Sequence, residues 1–415
     1  MITVFGLGFT GITTALYFSE KKEMKVYGID IDEEKIKKIS NYKLPFHEPK
    51  LQRVLEKNLN KNFNISKDIK DSINKSEYIF ICVDTSMNTD GSADLSSIMK
   101  VIDTIVEKID TNIFRTIIIK SSIPPTTTEK IIVPYIEKCG FTIGKDIGLC
   151  VNPEFLREGR CYEEIENPNR IVLGCNDSNT KDKIYELYRE EKAKIFNVNY
   201  NTAEFSKYLS NSFLATLISF SNEMSIVADS LGNIKVKDAF DILKNDNRWN
   251  ECEMRNYVHP IGKYGGYCLP KDTNALYNLS KQNGFDSKIL NDTIVMNNNL
   301  EEYFVNKIMK EVDKNKKIGI LGLSFKPESD DVRNTSSYYV IKKLKENNYH
   351  NILAYDPISI DNFKKAYTSL DIDYIYDYKE ILEKADVLII LTIWDEFKNI
   401  KEISNKKVID FTHKI

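Results

Sequence analysis

Apolar residues along this chain follow two rhythms. In the first half, short unbroken runs recur: "MITVFGLG" from Met1, "MKVYGIDI" from Met24, "YIFICV" from Tyr78, "RTIIIKSS" from Arg115, "IGLCVNPEF" from Ile147 and "RIVLG" from Arg170. Runs without alternation are the pattern of strands covered on both faces, as in a parallel sheet. Helically spaced stretches separate them, and that alternation predicts βαβ units and a doubly wound fold. From about Asn201 the rhythm changes. "TAEFSKYLSNSFLATLISFSNEMSIVADSLG" keeps helical spacing without a breaker until Gly232, which predicts one helix long enough to link two domains. Strand-like runs then return as "KKIGILGLSF", "NILAYDP", "VLIILTIW" and "KKVIDFT". The expected fold is α/β. Two doubly wound parallel-sheet domains, 1–199 and 301–415, are joined by a helical central region, 200–300.

Composition narrows the setting. At 415 residues the chain has room for two or three domains. A net charge of −3 gives no global attraction to nucleic acid or an anionic membrane. Apolar runs such as Val387–Trp394 are strand length, far short of a span, so no membrane is expected. The N-terminus opens directly on a strand pattern, with no basic leader or cleavage site, and a cytoplasmic setting is the expectation. The seven cysteines are odd in number and scattered, with no C-x-x-C pair. Reduced thiols, mostly core filler, follow from that. Only four histidines are present, none in ligand spacing, and no metal is expected.

The first strand runs into "GLGFTG", which sets Gly6, Gly8 and Gly11 in G-x-G-x-x-G register before a helical stretch. Such glycines allow a tight turn and close approach of the backbone to a pyrophosphate at the helix N-terminus. Asp30 ends the next strand at about the spacing of an acid that binds ribose hydroxyls. No arginine follows at once to take a 2′-phosphate, so NAD is favoured over NADP. A structural glycine turn of another α/β fold is the plainer alternative. The expectation is a Rossmann-like domain.

"GGYCLPKD" at 265–272 poses a sharper question. Glycines would let a substrate reach Cys268, and Pro270 suits the first turn of a following helix. The thiol then lies near that helix's positive end, with Asp272 about one turn on. On the residues alone, a nucleophile and a buried filler are both open. Lys207 and Asn211 sit four apart and share a helix face, which also describes a solvated stripe. Glu154 and Glu158 follow a strand in "NPEFLREG", where α/β folds place ligands, and equally suit a helix N-terminus. Ser122 in "KSSIPP" follows another strand, and a simple turn explains it too.

In order, "GLGFTG", "KSSIPP", "NPEFLREG", "NPNRIVLG", "AEFSKYLSNSFLA", "GGYCLPKDT", "GLSFKPESDDVR" and "TIWDEF" span nearly the whole chain. In this order they resemble the UDP-glucose/GDP-mannose dehydrogenase family, most of all its UDP-glucose 6-dehydrogenase branch. "CLPKD" and "PEFLREG" speak against the UDP-N-acetylmannosamine branch. The resemblance implies a four-electron oxidation of a nucleotide sugar's C6 alcohol by two NAD. An aldehyde is captured by Cys268 as a thiohemiacetal, oxidised to a thioester and hydrolysed. It implies that Lys207 stabilises the oxyanion with Asn211, that Asp272 works with Lys207 and a water in proton transfer, and that Glu154 assists hydrolysis. Ser122 stands where threonine is usual. Cofactor contacts implied alongside the glycines are Phe9, Thr10, Lys35, Thr85, Ser122 and Glu158. Substrate contacts implied are Glu154, Phe155, Leu156, Lys207, Asn211, Arg255, Tyr264, Gly265, Phe325 and Lys326, with Arg333 in the same motif as a structural or binding residue. A homodimer or larger homo-oligomer through the central helices is also implied.

Four departures from the family pattern fall mainly around the substrate. "VDTS" (Val83–Ser86) replaces V-P-T-P, and the loop between Arg248 and Pro260 is longer. Lys263 in "GKYGG" takes a glycine's place, with a phosphate contact or an altered backbone path as its consequence. Thr412 stands where an arginine is usual. UDP-glucose is the first expectation, with GDP-mannose or a modified UDP-hexose next. A two-electron dehydrogenase and a nucleotide-sugar-binding pseudoenzyme are the other classes to separate.

Overall fold

The computed structural model describes residues 1–249 and 257–415. Its contacts divide the chain into two units, Met1–Ser210 and Asn211–Ile415, with the boundary inside the long helix.

The first unit holds eight strands: β1 (Ile2–Phe5), β2 (Val26–Ile29), β3 (Phe63–Ile65), β4 (Tyr78–Ile81), β5 (Arg115–Ile119), β6 (Ile147–Val151), β7 (Arg170–Gly174) and β8 (Lys194–Val198). They lie in the order β3-β2-β1-β4-β5-β6-β7-β8. The first six are parallel and doubly wound about β1 and β4. All residues of β1, β4, β5 and β6 are buried, as uninterrupted apolar runs require in a sheet covered on both faces. One strand departs from the expected parallel sheet. β7 meets β6 antiparallel, at the single pair Val151↔Gly174. Its connection holds only the six-residue helix Cys161–Glu166, a rise of about 9 Å. That falls short of the roughly 17 Å of a five-residue strand, so this helix alone does not return the chain to the sheet's amino edge.

The second unit holds β9 (Ile318–Leu321), β10 (Ile352–Tyr355), β11 (Asp373–Tyr374), β12 (Val387–Ile390) and β13 (Lys407–Asp410). Their order, β11-β10-β9-β12-β13, repeats the winding of the first sheet, and every pair is parallel. The long helix runs Tyr200–Leu231, 32 residues and so about 48 Å. The helices Cys268–Gln282 and Lys288–Glu311 follow it in the second unit. Among the described residues, no helix is long and apolar enough to cross a membrane.

Each sheet turns from its central strand at a glycine with positive φ: Gly6 at +86° after β1 and Gly322 at +90° after β9. At Gly322 an added Cβ would lie 2.3 Å from the Thr392 carbonyl oxygen. Both the backbone region and the space therefore exclude a side chain. Gly322→Ala should cost about 2 kcal/mol or more, read as a lower urea midpoint at unchanged slope. An unchanged midpoint would show that the turn can relax.

Candidate active site

At the carboxyl edge of the first sheet, Gly6 gives way to the helix Phe9–Lys21, whose N-cap is Gly8 with no side-chain cap. Thr10 lies in its first turn. Space is open around Gly8, where an added Cβ meets nothing within 4 Å. At Gly11 it would fall 1.8 Å from the Gly6 carbonyl oxygen, so helix and turn pack backbone to backbone. An uncapped helix end beside an open glycine suits an anionic phosphate. Asp30, just past β2, accepts the Leu7 N–H at 2.6 Å and the Asp32 N–H at 2.9 Å, and its Oδ2 lies 2.9 Å from Lys35 Nζ. Burial raises its pKa, but Lys35 and the two N–H groups outweigh that and hold it below the usual carboxylate value. These residues fit a dinucleotide: Gly6, Gly8, Phe9, Thr10 and Gly11 for the pyrophosphate, and Asp30 for a ribose, with Lys35 fixing the acid.

Two further sequence-predicted residues meet at the ends of neighbouring strands. Thr85 follows β4 and donates its hydroxyl to the Ser122 carbonyl after β5, at 2.8 Å. Asp84, beside it, is exposed. The loop after β6 carries Glu154 and Glu158, and neither begins a helix; the next one starts at Cys161. Lys207 Nζ on the long helix donates to Glu154 Oε1 at 3.1 Å, with side-chain exposures of 5% and 9%. The other carboxylate oxygen accepts the Leu156 N–H. Burial pushes the Glu154 pKa up, yet Lys207, Leu156 and Lys120 together hold it low. The Phe155 ring has the Arg170 guanidinium 3.8 Å from its centre and Lys207 Nζ 5.5 Å from it. Glu158 is half-buried on the same loop.

Sequence reasoning passed over two titratable residues here. Lys120 is buried after β5 and donates to Asn152 Oδ1 at 3.0 Å; burial lowers its pKa. Glu204, three residues before Lys207, is 2% exposed and accepts the Thr128 N–H at 2.8 Å. Burial raises its pKa to about 7 against the bonds from the Thr126–Thr128 segment. Its place three residues before Lys207, on the same helix face, was the available signal for it.

In the second unit, Cys268 is the first residue of its helix and is exposed. Asp272, one turn on, is fully buried. Its carboxylate accepts Asn211 Nδ2 at 2.6 Å and Lys271 Nζ at 2.5 Å. Lys271, itself 3% exposed, was also missed, because neighbours in sequence usually face different ways on a helix. Lys207 and Asn211 stand one turn apart on the long helix, the first in one unit and the second in the other. Gly265 and Gly266 lie against Phe325: an added Cβ would sit 3.0 Å and 2.9 Å from its atoms. Tyr264 is buried among Ala215 and Ile218, with Leu214, Ile261 and Leu269 packed around them. Arg333 pairs with Asp331, and its guanidinium lies 4.8 Å from the Tyr267 ring centre, next to Cys268. Lys326 is half-buried beside Phe325. Arg255 lies outside the described residues, as does most of the lengthened loop. Thr412 is buried, and both its N–H and its hydroxyl donate to Asp410 Oδ1.

A glycine-rich turn shaped for a dinucleotide, together with a thiol at a helix N-terminus, marks an oxidoreductase of the nicotinamide class. Comparison with known proteins makes this specific. Residues 1–192, 201–299 and 319–414 match, in turn, the NAD binding, central and UDP binding domains of the UDP-glucose/GDP-mannose dehydrogenase family. A UDP-glucose 6-dehydrogenase of Rickettsia felis is 34% identical over 406 residues, 96% of this chain and 88% of that one. A UDP-glucose dehydrogenase from Pyrobaculum islandicum superposes with a TM-score of 0.90 at 27% identity, covering 99% and 94% of the two chains. A UDP-D-ManNAc dehydrogenase from Pyrococcus horikoshii gives 0.83 at 28%, covering 100% and 96%. The chain belongs to the UDP-glucose/GDP-mannose dehydrogenase family and is an NAD-dependent nucleotide-sugar dehydrogenase.

Glu204 predicts a pH signature. Its folded pKa stands above that of an exposed glutamate, so its contribution to stability is present at low pH. That contribution is lost as pH rises from about 4.5 towards about 7. Glu204→Gln should flatten the fall in thermal midpoint between pH 5 and 8. An equal fall in the variant would assign the pH dependence to other groups.

Proposed function

We propose that the protein oxidises the C6 hydroxymethyl group of UDP-glucose to the carboxylate, giving UDP-glucuronate. The observation that carries this reading is the placement of Cys268: exposed, first in its helix, and one turn from a buried carboxylate held by Asn211 and Lys271. UDP-glucose is favoured by the UDP binding domain and by the substrate in the names of similar proteins.

When bound, NAD accepts the hydride lost from C6 in each of two oxidations. The residues then divide the work. Lys207, paired with Glu154, stabilises negative charge on the C6 oxygen as the hydroxyl proton leaves that oxygen by way of a water to Asp272. Asn211 donates to the same oxygen. The Cys268 sulfur adds to the aldehyde carbon, its thiolate favoured by the helix N-terminus. The resulting thiohemiacetal loses its second hydride to become a thioester. Water attacks the thioester carbon, the C–S bond breaks, and Cys268 leaves as thiolate with Glu154 assisting. One sugar alcohol, one water and two NAD thus give one carboxylate, two NADH and three protons. The covalent step needs a reduced thiol, in keeping with a cytoplasmic setting.

We propose a homodimer as the working form. On the long helix, Phe205, Leu209, Phe213, Phe220, Val227 and Leu231 are all exposed. Their steps of four and seven residues draw one apolar seam, suited to a second copy. Phe213→Glu should shift the light-scattering mass from dimer to monomer; a monomeric wild type would refute the seam.

A second reading, a modified UDP-hexose as substrate, has support from Thr412, from Lys263 and from the fold shared with a UDP-D-ManNAc dehydrogenase. UDP- and GDP-hexoses assayed side by side for NADH release separate the two. With UDP-glucose, two NADH per acid are expected, and Cys268→Ala should lower acid formation at least a thousandfold, about 4 kcal/mol. A ratio of one, or an acid-forming alanine variant, would remove the thioester route.

A further inference from the structure

The turn Gly262–Gly266, just before Cys268, is gripped residue by residue. Asn222 Nδ2 donates to the Gly262 carbonyl at 2.8 Å. Tyr264 N–H donates to Asn297 Oδ1 at 2.9 Å, and Asn297 Nδ2 donates back to the Tyr264 carbonyl at 3.1 Å. Gly266 N–H donates to the Arg333 carbonyl at 2.9 Å, and Asn334 Nδ2 donates to the Gly266 carbonyl at 3.0 Å. At Lys263 the grip is ionic. Its Nζ lies 2.6 Å from Glu301 Oε1, with both side chains 9% exposed. The same ammonium stands 4.5 Å from the centre of the Tyr339 ring.

Asn297 and Glu301 are one turn apart on the helix Lys288–Glu311, so one helix face holds two successive residues of the turn. Past them the backbone has no slack. At Gly265 an added Cβ would sit 2.5 Å from the Asn334 carbonyl oxygen, and Gly266 has φ +70° with the Phe325 ring against it. A displacement at Lys263 therefore carries into Gly265, Gly266 and the start of the cysteine helix. A cation already held by a carboxylate and an aromatic face is poorly placed to serve as a phosphate ligand: leaving Glu301 would strand a buried charge.

We infer that Lys263 is a positioning residue. Through Glu301 it sets the path of Gly265 and Gly266, and so how tightly the nucleotide sugar seats beside Cys268. This rests on the substrate reading above.

A double-mutant cycle tests it, using the full-length protein with NAD: Lys263→Met, Glu301→Gln and the two together, each checked by thermal denaturation to be folded at the assay temperature. The double variant strands no charge and keeps the test open if a single variant fails to fold. Positioning predicts that both singles raise KM for UDP-glucose several-fold and alike. The double is then no worse than either, with kcat within about twofold and KM for NAD unchanged. Lys263→Arg should keep most of the wild-type KM. A direct phosphate contact predicts instead that Lys263→Met alone raises KM while Glu301→Gln leaves or lowers it, which would overturn the inference. A lowered thermal midpoint with wild-type KM throughout would also overturn it, leaving a purely stabilising pair. If the wild type releases no NADH with UDP-glucose, the substrate reading fails by itself. The positioning claim is then read from calorimetric UDP affinity, which the variants must weaken alike; unchanged affinity overturns it.

Discussion

A carboxylate with no exposure, Asp272, ties the helix that begins at Cys268 to the long helix that carries Asn211. A buried charge of this kind is costly unless it is paired and fully hydrogen-bonded. Lys271 supplies the pairing and Asn211 the second bond, so the start of the cysteine helix is fixed relative to the long helix. The exposed thiol one turn earlier inherits that fixed position. Glu154 shows the same logic in the other unit, where Lys207 and a backbone N–H keep a buried carboxylate ionised.

The two sheets use one device for different ends. After β1, Leu7 N–H donates to Asp30 at the end of β2; after β9, Leu323 N–H donates to Asp356 at the end of β10. Asp30 keeps Lys35 beside it at an open helix end. Asp356 is 2% exposed and also accepts from Ser324, Ser359 and the Trp394 indole. The second acid is used up in holding its own loop together. The second sheet therefore repeats the winding of the first, but its acid is bonded into its own loop rather than set at an open helix end.

Much of this was legible in the pattern of residues. Uninterrupted apolar runs marked the buried central strands, and helical spacing without a breaker marked the helix Tyr200–Leu231. Polar or very short strands escaped. β8 is half-exposed along its length, β3 has three residues and β11 has two. The antiparallel entry of β7 was not legible either, because an apolar run does not encode direction. In the site, Lys207 and Asn211 share a face by simple spacing. Lys271, Lys120 and Glu204 were missed because periodicity tells which way a residue points, not which charges meet in the interior. At Lys263 the sequence left a phosphate contact and an altered backbone path both open, and the partner that bears on the choice, Glu301, is remote in sequence.

On the proposed route, Cys268 carries the sugar carbon as a thioester between the second oxidation and hydrolysis. Rapid acid quench of the protein with UDP-glucose and NAD, followed by peptide mass spectrometry, reads it directly. The expected result is a UDP-glucuronyl adduct on the peptide containing Cys268, released by hydroxylamine and more abundant in Glu154→Gln. Turnover to the acid with no adduct on that peptide at any quench time in either protein, or an adduct on another residue, would contradict it.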